Sequence, residues 1–136
     1  MLGAWKASDM PHRSRLTAVL IDVPAAQHDA ATAFWAGALG HEGKQSEKYP
    51  EYSFHGQVTP GIEFMVQATG DDQPRIHIDI ESDDVDAEVE RLKALGAVEL
   101  ERVNSWVIMR DPAGVVFCVV KVQVQDMFDQ HATSWD

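Results

Sequence analysis

The sequence predicts an α+β fold of two half-modules, each running strand, helix and then three strands. Three observations carry this. From Arg75 to Glu81 apolar and polar residues alternate without a break, and from Val85 the period becomes helical, with Val85, Val89, Leu92 and Leu95 on one stripe. An earlier stretch, TAVLIDVP (Thr17–Pro24), can be set against IHIDIESD (Ile76–Asp83), and both following helices end in Ala-Leu-Gly, at Ala38–Gly40 and Ala94–Gly96. Three strand-like segments then follow each helix. Four strands and one helix cannot cover both faces of a sheet, so the halves are expected to pair.

In chain order, residues 1–14 show no periodicity and read as a loose arm in which Trp5 can still pack. Arg15–Val23 is a strand, apolar on both faces. Pro24–Leu39 is a helix with proline in its first turn and Gly40 past its end; its alanines favour close packing, with Phe34 and Trp35 as core fillers. Three strands are expected in His41–Ala68: a poorly marked one before Lys48, then Tyr52–Gln57 and Gly61–Ala68. TGDDQP (Thr69–Pro74) is the connector between halves.

In the strand Arg75–Glu81, Ile76, Ile78 and Ile80 should face the core and His77, Asp79 and Glu81 an open space. The helix after it is well marked, with Asp83 or Asp84 as cap, acids first, Arg91 and Lys93 last, and Gly96 beyond its end. Val98–Val103, Trp106–Arg110 and Val115–Val124 complete the second half, the last two joined by the turn Asp111–Gly114. The domain thus spans residues 15–121, with modules at 15–70 and 74–121 and a tail at 122–136 that is either frayed or laid over the body or a partner subunit.

Composition excludes several classes of function. A net charge of −11 argues against nucleic acid, leaving solubility or attraction of a cationic small molecule as its meaning. No apolar run approaches the roughly 20 residues that span a bilayer, and the first residues hold no signal-like block, so a cytoplasmic protein is the default. One cysteine, Cys118, excludes an internal disulfide and a cysteine-rich zinc site.

Three stretches carry a resemblance to a known family: AATAFWAGALGHE (Ala30–Glu42), RIHIDIESDDVDAEVERLKALGA (Arg75–Ala97) and WVIMRDPAGVVFCVV (Trp106–Val120). The chain resembles the vicinal-oxygen-chelate superfamily, in its glyoxalase-like or bleomycin-resistance-like branch. The resemblance implies two βαβββ modules pairing curved mixed sheets around a concave groove, with helices outside. Metal-dependent members hold a divalent ion there with one ligand from the first and last strand of each module.

Carried over residue by residue, the second module's first-strand ligand is His77 and the first module's last strand offers Glu63, or in another register Met65 or Gln67. The other two positions hold Ala18, which cannot coordinate, and Cys118, a thiol. A histidine, glutamate and cysteine set would lean to zinc, and manganese, nickel or iron remain possible ions. Loss of the ligand at Ala18 favours a small-molecule-binding protein without an essential metal. The alternatives are a metal-dependent lyase, isomerase or dioxygenase of glyoxalase type, or a homodimeric antibiotic-sequestering protein. In the catalytic case Glu63 or Asp79 would move a proton, and His55, Met65, His77, Trp106, Met109 and Cys118 would line the ligand. The bland readings stay open beside these: His77 and Asp79 as structural hydrogen-bonding groups, Glu63 as a satisfied core carboxylate, Trp106 and Cys118 as core.

Overall fold

The computed structural model describes residues 11–136, so the arm before Pro11, Trp5 included, lies outside the described residues. The order is β1 (His12–Pro24), α1 (His28–Leu39, after a short turn of 3-10 helix), β2 (Lys44–Gln45), β3 (Tyr52–Thr59), β4 (Ile62–Thr69), β5 (Arg75–Ser82), α2 (Val85–Ala94), β6 (Val98–Val103), β7 (Trp106–Arg110), β8 (Val116–Lys121), α3 (Gln125–His131) and β9 (Thr133–Trp135). Strand, helix and three strands occur twice, and the class is α+β. Contacts divide the chain into two compact units, Thr17–Ile78 and the flanking segments up to Leu16 and from Asp79 on.

In the Thr17–Ile78 unit the strands run in the order β2, β3, β4, β1, with β1 parallel to β4 and the others antiparallel. Alternation along β1 sends Ile21 and Val23 to one face, where they meet Phe64 and Val66 of β4 and the Ala31 and Trp35 side chains of α1. Each large apolar side chain fully buried there stabilises the unit by about 1.5–3 kcal/mol. Trp35 packs 5.3 Å from Phe64, whereas Phe34, expected in the core, is 63% exposed. Adjacent helix positions lie about 100° apart, so the two aromatics cannot share the buried stripe.

The other unit orders its strands β5, β8, β7, β6, and β9 pairs antiparallel with the start of β1, His12 opposite Trp135. Asp84 caps α2 by accepting from the Ala87 amide at 3.0 Å, and Gly96 (φ 110°) follows its end. The loose arm ends earlier than expected, because His12–Ser14 are already strand, tied down by buried polar partners. His12 Nε2 lies 2.8 Å from Glu88 Oε1; Arg91 grips both oxygens of Glu88 at 2.8 and 2.9 Å and stacks 3.8 Å over the Trp135 ring. Trp135 Nε1 in turn donates to Ser14 at 2.9 Å. The tail is therefore ordered, with α3 placing Phe128 in the core.

Strand β5 departs from its expected polarity. Ile76 is 62% exposed, while His77 (8%) and Glu81 (1%) are buried. The reversal is tolerated because each buried polar group has a partner: Glu81 accepts from the Gln123 amide at 2.9 Å and sits 3.6 Å from Arg15, and His77 is held by Asp22.

Candidate functional site

The parallel register of β1 and β4 sets Ala18 beside Glu63, Leu20 beside Met65 and Asp22 beside Gln67. These three rungs share the sheet face opposite α1, because the intervening Val19, Ile21, Phe64 and Val66 belong to the core beneath the helix. On β3, Phe54 and Tyr52 continue the rungs of Met65 and Gln67; their rings stack at 6.2 Å, and Gln67 donates to the Tyr52 hydroxyl at 3.1 Å. The face thus joins an apolar middle to acidic and amide groups at its ends.

Asp22 organises the far rung. His77 Nδ1 donates to its Oδ2 at 2.5 Å, since an ionised carboxylate only accepts, and Arg75 Nε lies 3.6 Å from the same oxygen. Its Oδ1 is buried without a hydrogen-bond partner. Asp22 lies four residues along β1 from Ala18, about 13 Å of strand from the rung that carries Glu63.

Glu63 is shaped by a β-bulge. The pairing of β3 with β4 slips between Phe54 and Gln57, and Gly56 takes φ 78°, a conformation glycine adopts at little cost. This turns the Gly56 amide onto Glu63 Oε1 at 3.2 Å. Burial pushes the Glu63 carboxyl above the ordinary glutamate range, against the opposing pull of that amide and of His55. A carboxylate whose pKa is raised is a stronger base than an ordinary glutamate.

The bulge also fixes His55. Its ring packs edge-on at 5.7 Å against Phe64 and its Nδ1 donates to the His41 carbonyl at 2.9 Å, so it lies beneath α1 and not with the Glu63 face where it was expected. In the other unit β7 pairs Met109 with Phe117 and Ile108 with Cys118. Met109, Val107, Phe117 and Val119 are buried on one side, and Trp106, Ile108 and Cys118 are half-buried on the other. Trp106 and Met109 therefore cannot line one surface, because they are three residues apart on a strand of period two. Trp106 lines an open cleft of about 610 Å³ with Ser105, Arg102, Lys121 and the first residues of α2. Asp79 is half-buried in β5.

Of the expected residues, Glu63 and Met65 thus share a face, and His77 belongs to a pair that the sequence did not announce. Asp22 was the missed residue. Its one signal was a charged side chain inside the apolar run TAVLIDVP, a position that folding tolerates only with a partner.

Comparison with known proteins adds the family. The profile of the glyoxalase-like domain matches residues 18–120. Among solved structures, the chain is similar to methylmalonyl-CoA epimerase from Mycobacterium tuberculosis, with 17% identity, TM-score 0.56, and 81% of this chain and 89% of that one covered. It is also similar to a hypothetical protein from Bacillus halodurans C-125 (13% identity, TM-score 0.61, 82% and 96% covered). A third is a Streptomyces coelicolor methylmalonyl-CoA epimerase in complex with 2-nitronate-propionyl-CoA (16%, 0.52, 81% and 98%). No curated protein sequence matches.

Proposed function

Because the chain belongs to the glyoxalase-like domain family of the vicinal-oxygen-chelate superfamily, we propose that it binds a small organic molecule on the face of β1 and β4, without an essential divalent ion. The observation that carries this is Ala18 beside Glu63. A methyl group stands where metal-dependent relatives place a donor, and among the described residues Glu63 belongs to no cluster of three side chains able to hold one ion. The donor set in this unit does not fit the family's metal, and the chemistry left to it is that of Glu63 and the Asp22–His77 pair. Glu63 is the group suited to accept a proton from a bound molecule, and Asp22 fixes the orientation of His77.

The ligand is a neutral or cationic molecule. The epimerases similar to this chain act on or bind CoA esters, but a net charge of −11 and the acids on this face disfavour a polyanionic ligand. Sequestration of a cationic antibiotic is one form of this reading, with a cytoplasmic homodimer as the assembly.

A metal-dependent lyase, isomerase or dioxygenase is the second reading, favoured by His77, whose imidazole is a sound ligand; the Cys118 thiol would direct such a site to zinc. Elemental analysis of untagged protein after exposure to zinc, manganese, nickel and iron(II) separates the two. Substoichiometric metal, unchanged by His77→Ala, supports binding without an ion. One equivalent that disappears in both His77→Ala and Glu63→Ala overturns it.

A further inference from the structure

The strands β2 and β6 each end the strand order of their unit, and they are built differently. β2 is two residues long and carries Lys44, and a short strand bearing a lysine discourages pairing with another chain. β6 is six residues long, and among the described residues it pairs with β7 alone, so its outer N–H and C=O groups form an open edge. Val98 is 44% and Leu100 47% exposed there.

The strand is also complementary to itself. Its pairing with β7 slips between Glu99 and Glu101, so a bulge falls at Leu100. Glu99 stands opposite Met109 and Arg102 opposite Val107, and both of those β7 residues are buried on one side. In a regular strand two positions three apart point to opposite faces. Here the extra residue puts Glu99 and Arg102 on one face, 3.4 Å apart, and Val98 and Val103, opposite Arg110 and Trp106, on the other. A second β6 laid antiparallel about a two-fold axis between Leu100 and Glu101 therefore sets Glu99 opposite Arg102 of the second copy, and Val98 opposite Val103 of the second copy, each twice. Unlike charges directly opposed stabilise a strand pair. At a net charge of −11 two copies repel over much of their surface, so their contact needs a place where the charges match.

We propose that β6 is the interface between two copies of this chain, their edges paired antiparallel in this register. Such a contact closes on itself, because each copy's open β6 edge is consumed by the other. The pairing gives the homodimer named above its interface and uses no residue of the β1–β4 face, so either reading can fail without the other.

The test is sedimentation velocity of the full chain over a range of concentrations, with circular dichroism to check folding. The wild type is expected to dimerise. Arg102→Glu and Glu99→Arg each set like charges opposite one another, and each should weaken dimerisation by about tenfold. An equimolar mixture of the two variants should dimerise like the wild type, since every opposed pair is again of unlike sign; damage to the fold by either substitution would show no such recovery. Should one variant fail to fold, the double variant Glu99→Arg/Arg102→Glu, which exchanges the charges within one chain and keeps them matched across the axis, carries the test against the other. A chain that stays monomeric throughout, a dimer that neither substitution weakens, or a mixture that recovers nothing would overturn the proposal.

Discussion

Replacing Glu88 by alanine should be among the most damaging single changes outside the apolar core. Glu88 is fully buried on α2, and its two oxygens receive Arg91 twice and His12 once, all within 2.9 Å. Removing one member of such a group leaves the others buried without a counter-charge, at a cost of about 3–5 kcal/mol. For a chain of this size that lowers the melting temperature by roughly 10–17 °C.

The charge state adds a second readout. Burial pushes the Glu88 carboxyl up, but hydrogen bonds from Arg91, Ser14 and His12 together outweigh it and hold it below the ordinary glutamate range. A depressed carboxyl contributes stability that is fully present above its unfolded value, about 4.3, and is lost as pH falls through the lower folded value. Far-ultraviolet thermal melts of wild type, Glu88→Ala and Glu88→Gln from pH 7 to pH 3 test both. Glu88→Gln should fall between the others at pH 7 and show a flatter decline below pH 4.5. A shift under about 3 °C for Glu88→Ala, or parallel acid declines in all three proteins, would refute the reasoning.

Asp22→Ala should cost about 1.5–3 kcal/mol in chemical denaturation and abolish the downfield Nδ1 proton signal of His77; retention of that signal would mean that another group holds the ring. Glu63→Gln should act oppositely to Glu88→Gln. With its carboxyl raised by burial, Glu63 favours the fold below its unfolded value and loses that contribution as pH rises through the folded one, so the amide variant should gain relative stability at pH 7. Trp35→Ala should cost about 3 kcal/mol and Phe34→Ser less than about 0.5, a contrast that urea titration resolves.

Local rules made much of the fold legible. The change of period after Glu81 and the cap at Asp84 announce β5 and α2, and repetition of Ala-Leu-Gly marks the same unit in the first half. Features that depend on distant partners were hidden. The polar face of β5 is the buried one because the carboxylate that satisfies His77 lies 55 positions away. Residues 125–136 left a frayed tail and an extension laid over the body or a partner both open; Phe128 in the core and Trp135 on Ser14 and Arg91 show an ordered extension. The family resemblance marked Ala18 and, depending on register, Glu63, Met65 or Gln67 as corresponding positions; the register of β1 with β4, which sets Ala18 beside Glu63, was not legible in the sequence. Placing Trp106 and Met109 on one surface needed no structure to correct, only the period of a strand.

The division of the chain into units has a consequence for folding during synthesis. Residues Thr17–Ile78 are contiguous, so that unit can assemble as soon as they leave the ribosome. The other is split, and the strand that begins at His12 acquires its partners only when Glu88 and finally Trp135 have been made. Until those residues are made, His12–Ser14 at the start of that strand present an open edge, although Ala18–Pro24 of the same strand already pair with β4, and that edge is exposed to association with other chains.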